Sequence, residues 1–384
     1  MKIAIFEQII TSGGHEIEFD RIIVEELLAL GHEVFFYVPR GHIFKFDYKV
    51  KIVEISGAGV NYAGAKGLSK FWLAAKREIR RIMWFNELFV RGKADEYDLL
   101  IMPTTTQRYL RALKFSKLKN SIKPFEFIVH GLRPEETIKM TKRLRCIPEN
   151  CPLKIIVLTL IKDIFAKNDK RIACVNPPAY APRDIVAKKL CNDGTGSVEL
   201  GFFGQYRREK KLDDFLDAFL DCKFDNKVKL VVQGATNRQE DKDDFERTIA
   251  KYRGRGNIEF INISLIGIDW QKALVGTDVI MIPYAAPRYR YHWSAMLFSA
   301  IGYFRPVVSV GDVINPEVFE HYKIGESFSG NDMKGCKQAL QRLVANMKNR
   351  KDYYNDEIER AYKAYSPTNF AEQLVALASE EIIR

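Results

Sequence analysis

The sequence predicts an α/β protein made of two Rossmann-like domains facing a cleft, and three observations carry that expectation. Short apolar runs alternate with longer amphipathic stretches along the chain, the pattern of parallel sheets covered by helices. The 384 residues exceed the size at which one hydrophobic core normally stops growing. Finally, NPPAYAP, Asn176 to Pro182, puts three prolines into seven residues between two sets of such runs. Proline fixes φ and lacks a backbone donor, so this stretch continues neither a helix nor a central strand. The expected division is residues 1–175, residues 176–368, and a closing helix over 369–384.

In the first half the strand candidates are Lys2–Glu7, Glu33–Val38, Lys51–Ile55, Leu99–Met102, Glu126–Val129 and Ile172–Val175. In the second they are Val198–Phe203, Val228–Val232, Ile258–Ile261, Val279–Ile282 and Val307–Val310. A helix is expected over Glu16–Leu30, where Phe19, Ile22, Ile23, Leu27 and Leu30 share one face, with Gly31 as its left-handed cap. The 47% hydrophobic and 28% charged content is ordinary for a globular protein and argues against long disorder. The longest nearly apolar runs, such as Ile155 to Ile161, fall far short of the roughly 20 residues that span a bilayer. The opening MKIAIF reads at once as a strand without leader features, so the expected location is cytoplasmic. Six cysteines without a CxxC pair read as small buried hydrophobes of a reducing compartment.

Charge is divided unevenly. Residues 1–180 hold 30 Lys/Arg against 20 Asp/Glu, a balance of +10, whereas residues 181–384 hold 30 against 29. The basic half is expected to meet something anionic: a membrane, a nucleic acid or a phosphorylated acceptor. Within it, Ala65 to Lys93 carries eight basic residues against two acids, interleaved with Phe71, Trp72, Ile79, Met83, Trp84, Leu88 and Phe89. A basic amphipathic helix with tryptophans reads as an element for an anionic membrane surface.

Two segments of the first half end strands in ligand-like turns. Ile3 to Phe6 runs into SGGHE, Ser12 to Glu16, and then into the helix that closes in LLALGHEV; glycines before a helix start let the backbone approach a ligand. FIVHG, Phe127 to Gly131, leaves an apolar strand at its carboxyl end, the usual ligand edge of an open α/β sheet. Together these segments resemble the first half of GT-B glycosyltransferases related to bacterial glycogen synthase and the phosphatidylinositol mannosyltransferases. The resemblance implies that His130 lies beside the transferred sugar and that Gly13, Gly14 and Glu16 belong to the acceptor side. It makes His15, in the loop where some inverting GT-B enzymes place a general base, the alternative catalytic histidine.

The second half carries the more specific pattern. In FFGQYRREKKLDDFLDAF, Phe202 to Phe219, a strand ends at Gly204 and a loop with Arg207, Arg208, Lys210 and Lys211 precedes a helix. A cationic cluster at a strand end suits a diphosphate. This segment is similar to the G-R-x-x-x-E-K-G motif of the same superfamily, with Gln205 in place of its arginine and Lys211 in place of its last glycine. VKLVVQG, ending at Gly234, and ALVGTDVIMIPY, ending at Tyr284, resemble the segments that line the nucleotide. The Glu-x7-Glu pair of many retaining members is absent, since its positions fall on Tyr291 and Ser299. In its place stands APRYRYHWSAML, where Tyr289, Arg290, Tyr291 and His292 form a candidate nucleotide or sugar loop. There Ser294 and Ala295 are expected to begin a helix facing the donor phosphates.

The resemblance implies transfer of a sugar from a nucleoside-diphosphate sugar to a glycan or lipid-linked acceptor, the first domain taking the acceptor and the second the donor. It implies no cofactor and no metal: no DxD motif follows a strand, and Asp241 to Asp244 reads as a solvated helical face. The nearest alternatives are a nucleoside-diphosphate-sugar epimerase of the same architecture and a non-catalytic basic module for nucleic acid or anionic lipid. The absence of RNA-recognition signatures weighs against nucleic acid as a partner.

Overall fold

The computed structural model describes residues 1–8, 16–42, 48–60, 67–161, 163–165, 169–181, 189–236 and 238–382. Two compact units divide between Asn176 and Pro177, and the segment from Thr368 belongs with the first of them.

The first unit contains β1 (Lys2–Phe6), α1 (Glu16–Ala29), β2 (Glu33–Pro39), β3 (Lys51–Ile55), α2 (Gly67–Lys93) and β4 (Leu99–Thr105). It continues with α3 (Tyr109–Phe115), β5 (Phe125–Val129), α4 (Pro134–Leu144), β6 (Leu153–Leu158) and β7 (Ile172–Val175). Among the described residues the strands form one seven-stranded parallel sheet in the order β3-β2-β1-β4-β5-β6-β7. Central strands of such a sheet are covered on both faces, so β5 and β6 are buried at every residue and mostly apolar, with Glu126 and Lys154 the charged exceptions. Leu153–Leu158 is a strand that sequence reasoning missed, because its run was weighed only as a membrane span. One face of the core gathers Phe85 from α2, Tyr109 from α3 and Phe127 from β5, with ring centroids 5.8 to 6.3 Å apart. Residues 367–382 form a helix, and Thr368 donates to Glu26 of α1 at 2.8 Å while Phe370 meets Phe19.

The second unit contains β8 (Val198–Phe202), α5 (Leu212–Asp221), β9 (Val228–Gln233), α6 (Gln239–Tyr252), β10 (Ile258–Ile261), α7 (Gly267–Val275) and β11 (Val279–Ile282). It continues with α8 (Ala295–Gly302), β12 (Val307–Val310), α9 (Pro316–His321), β13 (Gly325–Phe328), α10 (Met333–Asn349) and α11 (Asn355–Ala364); α12 is Pro367–Ile382. Among the described residues its six strands are parallel in the order β10-β9-β8-β11-β12-β13. β13, sequence GESF, was also missed: it lies at the sheet edge, where one neighbour suffices and little apolar sequence is needed. In each sheet the order reverses beside its first strand, between β1 and β4 and between β8 and β11. Ligands of open α/β sheets bind beyond the carboxyl ends of strands at such switch points.

All six cysteines are free, but the expectation that they are buried is corrected for four of them. Cys146, Cys174 and Cys191 are exposed, Cys222 is half-buried, and only Cys151 and Cys336 lie in the core.

Candidate anion-binding site

The turn after β8 is built by glycine. Gly204 adopts φ +100°, a conformation that side chains resist. Its amide donates to Gln233 Oε1 at 3.0 Å, and Gln233 Nε2 donates to the Ile263 carbonyl at 2.6 Å. The amide of Tyr206 donates to the Ala235 carbonyl at 2.8 Å, which ties this loop to the end of β9. A β-carbon on Gly204 would stand 3.9 Å from Met296 Sδ and 4.0 Å from Lys210 Nζ. The turn therefore faces the first residues of α8 and the lysine of its own loop.

Lys210 is driven inward by local backbone geometry. Arg208–Lys210 forms one 3-10 turn, and Lys211 takes the left-handed conformation at φ 48° before α5 begins. Lys210 is left only 5% exposed, its Nζ 4.7 Å from the Tyr284 ring centroid and 5.3 Å from that of Phe202. Ring faces attract the ammonium but replace little of its lost hydration. Burial first, then the charges of Arg207 and Arg288, lower its pKa to about 7 against the opposing pull of Glu209. No carboxylate pairs with its Nζ among the described residues.

Glu209 is shared elsewhere. Its carboxylate bonds Arg288 and lies 3.9 Å from Arg207 Nη1, while Arg207 Nη2 donates to Gln205 Oε1 at 3.2 Å. Arg288 also donates to the Tyr289 hydroxyl at 2.9 Å and lies 4.8 Å from that ring's centroid. The Tyr289 ring in turn meets Tyr284 at 5.1 Å. Two arginines thus share a single carboxylate at the end of β8, with the unpaired Lys210 beside them. Arg288, from the 3-10 turn Pro287–Arg290, was not singled out from the sequence. The stretch holds two arginines of equal appearance, and Arg290 turns away to Glu317 at 2.6 Å.

The remaining second-unit residues divide. Tyr284 is buried, and burial followed by Tyr289 pushes its hydroxyl far above the ordinary tyrosine range. Ser294 caps α8, its Oγ accepting from the Leu297 amide at 3.4 Å. Its own amide already donates to Asn315 Oδ1 at 2.8 Å, so helix geometry leaves Ala295 and Met296 as the first orphan donors. Gly234 has a packing reason to be glycine: a β-carbon there would fall 2.7 Å from the Phe245 ring of α6. Tyr291 caps the 3-10 turn half-exposed, and among the described residues its ring does not join the cationic group. Arg208 leaves that group as well, its Nε standing 3.7 Å from Asp244.

The reading of Asp241 to Asp244 as a solvated face is corrected at both ends. Asp241 and Asp244 are buried; Asp241 accepts from the Arg208 amide at 3.2 Å and Asp244 from the Tyr206 hydroxyl at 2.6 Å. Three apart on α6, they project from the same face onto the loop after β8 and hold it in place.

In the first unit, His130 follows β5 and its Nε2 donates to the Pro103 carbonyl at 2.8 Å, which orients the ring. Phe19 of α1 packs edge-on against it, centroids 4.6 Å apart. Glu16 is the first residue of α1. Gly13, Gly14 and His15 lie outside the described residues.

No protein-family profile and no curated sequence matches the chain. Solved structures do. Anabaena HepE in complex with UDP and glucose is 13% identical, with 99% of this chain and 100% of that one covered at a TM-score of 0.65. The lipopolysaccharide outer core galactosyltransferase WaaB is 15% identical over 98% and 99% of the two chains, with a TM-score of 0.60. The UDP-forming trehalose-phosphate synthase of Burkholderia vietnamiensis is 11% identical over 99% of each, with a TM-score of 0.67. With its two parallel sheets and flanking helices, the chain has the fold of the GT-B glycosyltransferases.

Proposed function

We propose that the protein is a glycosyltransferase that moves a sugar from a nucleoside-diphosphate sugar to a glycan or lipid-linked acceptor. The observation that carries the reading is Lys210: a buried ammonium without a carboxylate partner, beside a glycine turn at a switch point. A diphosphate supplies the missing counter-charge. Arg207, Lys210 and the orphan amides of α8 stabilise the negative charge that grows on it as the glycosidic bond breaks. These groups make the transfer metal-independent, so activity persists in a chelator. His130 contacts the transferred sugar in this proposal, with His15 the alternative base. HepE, crystallised with UDP, supports UDP as the first probe.

The test is a thermal-shift screen of nucleoside diphosphates followed by a transfer assay. UDP should raise the melting temperature of wild type but not of Lys210→Ala. His130→Ala should lose about a hundredfold in turnover or more with UDP affinity unchanged, because the cationic group lies wholly in the second unit. A donor converted without an acceptor would favour the epimerase, and salt-sensitive retention of nucleic acid without UDP binding would favour the basic module.

A second observation supports association with an anionic membrane surface. Leu68, Phe71, Trp72, Ile79 and Met83 of α2 are exposed and fall within an arc of roughly 120°, away from the buried Trp84, Phe85 and Leu88. Beside this stripe, a groove of about 460 Å³ is lined by apolar side chains and by Arg77, Arg108, Arg111 and Arg143. Its one acid, Glu78, is tied to Arg81 at 2.6 Å. Two sequence expectations change here: Trp84 is a core residue, and Arg81 is buried over the Tyr109 ring, so neither serves a surface. No helix among the described residues is long and apolar enough to cross a membrane, so the association is peripheral.

A further inference from the structure

We propose that Arg288 is the third cation of the diphosphate site and that Glu209 is an internal carboxylate holding the anion's place until the diphosphate arrives. This deepens the glycosyltransferase reading and rests on it.

The loop after β8 alone is a weak anion trap. Position 205, directly after the glycine turn, carries an uncharged glutamine that accepts from Arg207. Arg208 is drawn to Asp244 and Lys211 to Asn331, at 3.7 and 3.4 Å. Only Arg207 and Lys210 remain from four basic residues. Arg288 arrives from the turn after β11, across the switch point, and its charge reaches Lys210. Its guanidinium is stacked on Tyr289, whose ring packs on Tyr284, whose ring in turn faces the Lys210 ammonium. This run of contacts, with a cation at each end and two rings between, fixes where the two charges stand relative to one another. Arg288 Nε is moreover buried without a hydrogen-bond partner, and a guanidinium N–H in that condition calls for an oxygen.

Among the described residues the one carboxylate that meets these arginines is Glu209, bonded to Arg288 and near Arg207. A carboxylate there offsets part of the site's positive charge in the free protein and keeps Arg288 pointed at it. A diphosphate carries more charge and more acceptor oxygens, so it displaces the carboxylate, and Glu209 swings outward to solvent, to which it is already 42% exposed. Binding is therefore weakened by the carboxylate it must displace, and the empty site is protected from monovalent anions.

Titration calorimetry of inorganic pyrophosphate and of UDP at pH 6, with circular dichroism as the fold check, tests both parts. Arg288→Ala should weaken both ligands about tenfold or more, with Arg288→Lys recovering only part because the planar fork is lost. Glu209→Gln should tighten pyrophosphate about threefold or more. In the Arg288→Ala background, Gln205→Arg should restore much of the lost affinity by placing a guanidinium at the same turn. Folded Arg288→Ala with wild-type pyrophosphate affinity overturns the role of Arg288, and a Glu209→Gln that binds more weakly overturns that of Glu209. Wild type binding neither ligand overturns the glycosyltransferase reading together with this one, whereas a wild type that binds and variants that do not differ overturn this one alone.

Discussion

Two regions are rich in basic side chains, and they differ in everything except charge. At the end of β8, Lys210 is buried between rings, beside two arginines that share one carboxylate. Along α2 and α3, Arg108 and Arg111 stand at the rim of an apolar groove in open solvent. A buried cation has lost its water, so a matching anion regains a large interaction in a low dielectric. An exposed arginine keeps its hydration and gains roughly 1 kcal/mol near an anionic surface, screened by salt. The count of basic residues is the same kind of datum in both places. Burial decides whether it means a specific site or a diffuse attraction.

The largest effect should come from the buried charge. Lys210→Ala should weaken UDP binding by about 1.5–3 kcal/mol, roughly ten- to a hundredfold, measured by calorimetry with the fold intact. Unchanged affinity would erase the distinction between the two regions.

Wild-type pH dependence sharpens the contrast. In the free protein Lys210 titrates at about 7 because burial and neighbouring arginines disfavour its charge. A bound diphosphate favours the charged form and raises that pKa, so binding takes up a proton. Affinity is therefore full below pH 7 and falls as pH rises through it, by about fivefold between pH 7 and pH 8, as the protonated fraction drops from a half to a tenth. In Lys210→Ala this slope should vanish, since arginines do not titrate there.

Vesicle co-sedimentation probes the exposed region. Reversing Arg108 and Arg111 to Glu should release the protein from anionic vesicles, by about 2 kcal/mol or more, since two attractive charges are lost and two repulsive ones gained, and leave UDP affinity intact. Raising salt from 50 to 500 mM should mimic the reversal at the vesicle and affect the buried site less. Equal sedimentation with neutral vesicles would reject the membrane reading.

The smallest effect is expected from Trp72→Ala, which removes one exposed ring from the α2 stripe. It should weaken vesicle binding several-fold without changing the melting temperature, because the side chain is 71% exposed and supports no core. A large loss of stability would mean that the ring has a packing partner on the folded chain.

Most of the fold was legible because parallel strands covered on both faces must be apolar along their length, and the amphipathic stretches between them must be helical. Leu153–Leu158 escaped only by being judged as a membrane span, and GESF because an edge strand makes few demands on its residues. The candidate site was legible at Gly204, Lys210, Tyr284 and Ser294, each marked by its place at a strand end or helix start. It was illegible where long side chains choose among neighbours: Arg208 to Asp244, Arg290 to Glu317, Arg288 to Glu209.

By itself, then, the sequence determined the alternation of strands and helices, the glycine at the turn after β8 and the uneven distribution of charge. These are local properties, set by periodicity, by proline and glycine backbone preferences and by composition. Only the tertiary structure decided that Lys210 is buried while Trp72 is exposed, that Asp241 and Asp244 brace a loop instead of facing solvent, and that Arg288 joins a cluster nearly eighty residues earlier in the chain. The physical reason is that burial and ion pairing depend on which elements the sheet order makes neighbours. That order sets β8 beside β11 across a long stretch of intervening sequence.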